Sequence, residues 1–402
     1  MSILILLSAF LEGLALTLIQ GFLPLYIRRS LGEPAFVTVG LVVAVPALGT
    51  VIASNFWGGL SDVSGRLKPM ILVGLAGYTA AVVGVALLQN GLAILACVGV
   101  ASLFYGTLAP TLKAYMTLAR PNRPENAIAF VLMAQSLGWL VGSYTGGGLL
   151  EGGLATGMRT ALWLSGGLLA AQGLLVAFVL RDLRRVPAGG AAAPAPAAAA
   201  PGRGWLEGVI ADLTAIYENP RLLRLCALAF FFVAGNYLMW GFFTVFLVEH
   251  LGAPMRAVRY ALVASSVLGI ASFLWVGPLI RRFGGRAVLA VGVTLYAVMY
   301  VGLATVKDVR MVALFYALPL YSLVNVSANT LAAEYSSAAQ RGGGLGVLNG
   351  TYALASIAGP LAGGLLADRA GLAAVPWASF GFLVLAVPIG WALASHRGRN
   401  AS

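Results

Sequence analysis

Apolar residues run along the chain in blocks of about twenty, separated by short intervals that hold most of the charge. A helix needs about 20 residues to cross a hydrocarbon core of about 30 Å. Twelve blocks meet that length: 3–27, 36–57, 69–89, 91–112, 126–150, 159–180, 222–248, 257–280, 287–306, 310–333, 343–366 and 372–394. In lipid, a backbone must satisfy its own hydrogen bonds, and runs this long do so as helices. The pattern therefore predicts an all-α membrane protein with twelve transmembrane helices.

The longest polar interval separates the sixth block from the seventh. It opens with Arg181, Asp182, Arg184 and Arg185 and continues through 188–201, a stretch of Ala, Pro and Gly that cannot build a core. Trp205, Leu206, Val209, Ile210, Leu213 and Ile216 then recur at helical spacing, which predicts an amphipathic helix on the membrane surface or packed on the cytoplasmic side. Three regions are expected: a six-helix bundle over 1–180, a cytoplasmic linker over 181–220 and a second bundle over 221–402.

Composition agrees with a lipid-embedded chain. Of 402 residues, 60% are hydrophobic and 9% charged, and the mean hydropathy is +0.92. A soluble domain carries about 25% charged residues. The net charge of +12 does not indicate a nucleic-acid partner, because most basic residues stand at the ends of apolar blocks. With the N-terminus inside, 17 of the 25 Lys and Arg fall on the cytoplasmic side, which predicts both termini cytoplasmic. Arg outnumbers Lys 22 to 3, suggesting a GC-rich bacterial source and an inner-membrane location. Met1 is followed at once by an apolar run with no basic segment before it, so the first block is expected to be a permanent helix rather than a cleaved signal. Cys97 and Cys226 lie within blocks and read as small core residues, with no metal or disulfide role.

The halves repeat. Gly58-Gly59-Leu60-Ser61-Asp62-Val63-Ser64-Gly65-Arg66-Leu67-Lys68 lies between the second and third blocks. Gly277-Pro278-Leu279-Ile280-Arg281-Arg282-Phe283-Gly284 follows 219 positions later. Gly142-Ser143-Tyr144-Thr145-Gly146-Gly147 recurs 217 positions later as Gly359-Pro360-Leu361-Ala362-Gly363-Gly364. Similar offsets in different helices imply a duplicated six-helix unit, an arrangement used by transporters. The Gly58–Lys68 stretch resembles the signature of the major facilitator superfamily, departing from it at Val63 and Ser64. The second copy has Arg281 where the acid would be. The resemblance implies two pseudo-symmetric six-helix bundles. It also implies a cytoplasmic gate built from Gly58, Asp62, Gly65 and Arg66, with Arg120 a candidate partner for Asp62. Gly142, Gly146, Gly359, Pro360 and Gly363 resemble a pattern of proton-coupled drug exporters. They equally suit close helix packing in any membrane protein.

Glu12 is the most informative polar residue. It lies nine residues into the first block, roughly 13 Å along a helix and near mid-membrane. An acid there costs about 3 kcal/mol to insert, and such acids usually mark a transport pathway. No basic residue stands at a matching depth in any block, so Glu12 is expected to lack a charged partner. It could carry a proton near neutral pH or bind a cation when ionised. A hydrogen-bonded structural role is the alternative. Gln20 falls near its face; Gln135 and Trp139, Asn236 and Trp240, and Tyr321, Asn325 and Asn329 form pairs or stripes at spacing four. These are candidate cavity residues, or interhelical glue.

The absence of mid-membrane Lys or Arg disfavours strongly anionic substrates. No ATP-binding loop of the Gly-x-x-x-x-Gly-Lys-Ser/Thr type occurs, so an ion gradient or the substrate's own gradient would supply the energy. Two His residues, with no nucleophile set or metal spacing, give no enzyme signal, and no cofactor is expected. Charges in the loops are expected to be solvated ends. The first reading is a monomeric proton-coupled exporter of hydrophobic or weakly cationic small molecules. The alternatives are a carrier of sugar or another neutral metabolite, a lipid flippase, and a non-transporting receptor or scaffold.

Overall fold

The computed structural model describes residues 2–64, 67–119, 124–179, 219–336 and 341–395. Among the described residues every regular element is helical. The first half comprises α1 (Ser2–Gln20), α2 (Leu23–Ser30), α3 (Phe36–Ser64), α4 (Leu67–Leu87), α5 (Gly91–Ala119), α6 (Pro124–Glu151) and α7 (Leu154–Val179). The second opens with α8 (Pro220–Trp240), extended by short turns at Phe243–Val245 and Phe246–His250. It continues with α9 (Met255–Phe283), α10 (Gly285–Thr305), α11 (Val309–Tyr316), α12 (Tyr321–Tyr335), α13 (Arg341–Ala370) and α14 (Ala374–Ser395).

Eleven spans among the described residues are long and apolar enough to cross a membrane. Two of them, Ile3–Ser30 and Val309–Tyr335, are interrupted helices. The 28-residue α6 fills the fifth position but is not among the eleven. Its Gln135, Ser136, Ser143, Thr145 and several glycines lower its hydropathy, and it packs against α1, α7 and α9 instead of presenting a uniformly apolar surface. Within the halves, α3 packs on α5, α4 on α5 and α7, α8 on α13 and α14, and α10 on α14. Between the halves, α3 meets α13 and α6 meets α9.

The first helix of each half is expected to be continuous, and each is broken. Continuing α1 past Gln20 would drive the Pro24 ring into the Gln20 carbonyl. The chain turns at Gly21 and Phe22 and restarts with Pro24 in the first turn of α2. The second half makes the same turn 220 positions on without a proline. Gly21 N–H donates to Thr17 O and Phe22 N–H to Ile19 O; Gly241 N–H donates to Tyr237 O and Phe242 N–H to Met239 O. Gly32 and Gly252, also 220 apart, both take positive φ (69° and 64°), which a residue with a Cβ rarely adopts. The tenth crossing is interrupted too, between Tyr316 and Tyr321, where Pro319 cannot donate to a helix.

Glycine sets how closely these helices approach. A Cβ on Gly13 would collide with the Gln135 carbonyl, and one on Gly138 with the Phe10 carbonyl, so α1 and α6 touch through their backbones. A Cβ at Gly142 would lie 2.8 Å from Leu14 O, and one at Gly146 2.5 Å from the Phe22 ring. The second half repeats the contact: Gly359 abuts the Ala234 carbonyl, and a Cβ at Gly363 would lie 3.1 Å from Phe242. Pro360 lies inside α13, its carbonyl oxygen against Gly40 of α3.

At Gly13 and Gly138 the neighbours are backbone atoms that cannot swing away. Gly138→Ala is therefore expected to lose about 1–3 kcal/mol of stability. Gly381→Ala, where nothing lies within 4 Å of the added carbon, should be neutral or slightly stabilising. Thermal unfolding of the purified variants in detergent checks both. Equal midpoints would show that the α1–α6 approach is not tight.

Candidate functional site

Glu12 sits on α1 beside Gly13, on the face that touches α6, and is 1% exposed. Gln135 Nε2 of α6 donates to Glu12 Oε1 at 3.4 Å. The Tyr105 hydroxyl of α5 is hydrogen-bonded to both Glu12 and Gln135. Tyr78 of α4 stacks at a tilt on Tyr105, ring centroids 5.5 Å apart. The carboxyl group is thus held by neutral donors from two other helices. Spacing along the chain reveals Glu12 and Gln135 as polar positions, but carries no signal that Tyr105 joins them.

Among the described residues, three cavities lie along the interface between the halves. One of 310 Å³ is bounded by α1–α5 and touches Tyr237, Trp240, Ala353 and Ser356 of the second half; Tyr78 and Tyr105 are in its wall. A larger one of 530 Å³ is bounded by α6 and α8–α12. A third, of 160 Å³, lies beside the breaks at Gly21 and Gly241. None of the lining residues carries a formal charge. Trp240, just before the Gly241 turn, lines all three.

The sequence candidates distribute unevenly. Gln135, Trp139, Asn236, Trp240 and Tyr321 come together around the 530 Å³ cavity, although they belong to three helices. Gln20 lines the other two cavities. Asn325 and Asn329 continue from Tyr321 along α12 but line none of the three. Asn325 Nδ2 donates to Tyr321 Oη at 3.2 Å and Asn329 Nδ2 to Asn325 O at 2.8 Å. Asn236 Oδ1 accepts from Tyr300 Oη at 2.8 Å. Sequence reasoning did not single out Tyr237, Tyr296 and Tyr316, which make the larger cavity strongly aromatic. Tyr237, three residues before Trp240, was the available signal.

At the end of the bundle away from the chain termini, charges link the halves instead of pointing into solvent. Arg28 Nε of α2 lies 3.2 Å from Glu249 Oε2, and Arg29 Nε 3.8 Å from Glu249 Oε1. Arg259 Nη1 of α9 lies 3.1 Å from Glu151 Oε1 of α6, and its guanidinium stands over the Tyr144 ring. Asp368, at the end of α13, accepts from the Phe36 and Val37 N–H groups at the start of α3, at 2.6 and 2.9 Å. Positive helix ends favour such a carboxylate. Glu151 and Asp368 are 217 positions apart, the offset of the glycine motif. Each acid ends one helix and holds the first turns of a helix in the other half. The solvated-end expectation thus fails for these charges, because the meeting of the halves brings opposite signs together.

Of the gate expectation, Gly58 and Asp62 fall on the α3 backbone, with the Asp62 side chain outside the described residues; Gly65, Arg66 and Arg120 lie outside them entirely. So do 180–218 and the amphipathic stretch within it.

A repeated helical bundle whose halves meet around uncharged cavities is the architecture of a secondary transporter. The chain belongs to the Major Facilitator Superfamily, whose matches cover residues 5–323 and 225–401. It is a multi-pass membrane protein. It is 34% identical over 179 residues to the Multidrug resistance protein MdtG of Serratia proteamaculans, covering 43% of this chain and 41% of that protein. It is 32% identical over 182 residues to MdtG of Citrobacter koseri, covering 44% and 43%. The matches thus span under half the length of these curated relatives. Among solved structures, the nucleoside transporter NupG superposes with a TM-score of 0.77 at 14% identity, covering 98% of both chains. A bacterial homologue of the human lysosomal transporter Spinster, inward-facing and unoccupied, gives 0.79 at 15% identity, covering 98% of this chain and 96% of that one. Both likenesses concern the fold.

Asp368→Ala should loosen the contact between α3 and α13. In a background with Cys97 and Cys226 replaced by Ser, a cysteine at buried Ser143, beside the 160 Å³ cavity, should then react severalfold faster with a membrane-impermeant maleimide. An unchanged rate would show that this contact does not hold the end closed.

Proposed function

We propose that the chain is a proton-coupled exporter of hydrophobic or weakly cationic small molecules in a bacterial inner membrane, with both termini cytoplasmic. The observation that carries this reading is Glu12: a buried acid within the first spanning helix, held by Gln135 and Tyr105, which line uncharged, aromatic cavities. Such an acid suits proton exchange, and aromatic walls suit flat or weakly cationic compounds. The partial match to the Multidrug resistance protein MdtG supports drug export.

In this orientation the Arg28–Glu249, Arg259–Glu151 and Asp368 contacts lie at the outer face. The cavities would load from the cytoplasm and empty outward once these contacts part and the cytoplasmic side closes. Gly58, Asp62, Gly65, Arg66 and Arg120 would form that cytoplasmic gate. A proton moving down about 100 mV releases about 2.3 kcal/mol. That sustains roughly a fiftyfold substrate ratio.

The polar edge that Asn236 and Tyr321 give the larger cavity, with Asn236 held by the buried Tyr300, favours a second reading, a carrier of a neutral polar metabolite. One experiment separates the two. Purified protein and Glu12→Gln are placed in proteoliposomes containing a pH dye, and lipophilic cations, neutral drugs and sugars are added outside. The exporter reading expects proton movement triggered by a lipophilic compound and lost in Glu12→Gln. Uptake of labelled sugar with no proton movement for any compound would replace it with the carrier reading.

A further inference from the structure

Gln135 belongs to two places at once. Its Nε2 donates to Glu12 Oε1, and the residue lines the 530 Å³ cavity with Trp139, Asn236 and Trp240. A side-chain amide has a donor end and an acceptor end, fixed on opposite sides of one planar group. With Nε2 turned to Glu12 and Tyr105, the carbonyl Oε1 is the end left for the cavity.

We infer that Gln135 converts the protonation state of Glu12 into the hydrogen-bonding character of the substrate cavity. This rests on the proton-coupled reading above and names how that coupling selects a ligand. An ionised Glu12 accepts only, so it keeps the Gln135 amide N–H groups turned towards it and presents Oε1 to the cavity. A protonated Glu12 has an O–H to donate. That proton is best accepted by Gln135 Oε1, so the amide rotates by about 180° and turns its N–H groups towards the cavity. Oε1 accepts from a ligand N–H, whereas the amide N–H groups repel it. Ammonium compounds that carry an N–H are therefore bound when Glu12 has lost its proton and released when it gains one. That sign is the one proton–substrate exchange requires.

Tyr105 of α5 and Tyr78 of α4 are titratable side chains that face Glu12. From α7, Ser165 donates to the Ala15 carbonyl and Gln172 to Ser8 Oγ. The charges described on these helices are engaged elsewhere or distant: Lys68 donates to the Ala177 carbonyl, Glu151 pairs with Arg259, and Arg159 is exposed near the start of α7.

Two probes test the inference: a strongly basic lipophilic secondary ammonium, and its quaternary counterpart of the same shape without an N–H. Binding to purified protein is followed by quenching of tryptophan fluorescence at acidic and mildly alkaline pH. For wild type, the secondary ammonium should bind about ten- to a hundredfold tighter at the alkaline pH, one charge-assisted hydrogen bond's worth. The quaternary compound should show a clearly smaller change. Gln135→Met, or Gln135→Leu should that variant not fold, should erase the difference between the two compounds. Glu12→Gln, which can donate permanently to Gln135 Oε1, should hold the secondary ammonium at its weak acidic-pH affinity throughout. If Gln135→Met still distinguishes the compounds as wild type does, the relay is wrong while proton coupling through Glu12 stands. If pH changes neither affinity in wild type, the proton-coupled reading itself fails.

Discussion

Gly13 and Gly138 let the α1 and α6 backbones come into contact, and the position of Glu12 follows from that contact. With a Cβ at either glycine the helices would stand farther apart, and the Gln135 amide, at 3.4 Å from Glu12, would fall out of reach. In lipid there is no water to solvate the carboxyl group instead, so helix packing and acid solvation are one problem. Between α8 and α13 the close approach is made by glycines of α13 alone, Gly359 against the Ala234 carbonyl and Gly363 against Phe242, the counterparts of Gly142 and Gly146. Close packing through glycine is thus common to both halves, whereas the acid and the Gly13–Gly138 pairing belong to the first.

The repeat also explains where the chain is irregular. The turns at Gly21–Phe22 and Gly241–Phe242 sit on either side of the 160 Å³ cavity and free a helix's backbone where the two halves meet. Broken helices at a repeat interface are where transporters line their sites. Proline enforces the turn in the first half only, so its recurrence in the second reflects inherited geometry supported by the Phe242 packing against Gly363. The repeat was visible in two motifs, but the Gly-Phe and Leu-Gly pairs at offset 220 carry it through the whole first helix.

The charged contacts at the end away from the termini obey a different rule. Positive-inside counting treats each Arg as an isolated topological signal. Arg28, Arg29 and Arg259 also meet acids of the other half, and Asp368 meets two N–H groups that the start of α3 leaves without a partner in their own helix. Partly exposed pairs contribute little each. Contacts that hold an end closed must stay weak enough to part, and several modest links across one interface meet that need.

The twelve apolar blocks, the duplication and Glu12 were legible in the chain because each is a local property: the length of an apolar run, a repeated motif, an acid at a countable depth. Helix type and crossing number follow from the solvent alone, since lipid permits little else. The partners of Glu12 were not legible, because Tyr105 is 93 positions away and Gln135 is 123, and nothing in spacing says which faces meet. The stripe on α12 shows the same limit. Its three residues do share a face, yet of the three only Tyr321 lines the larger cavity, because the direction of that face depends on how α12 packs. Periodicity fixes which residues of one helix lie together. Which helix they face, and therefore whether they form a site, is decided only when the halves come together.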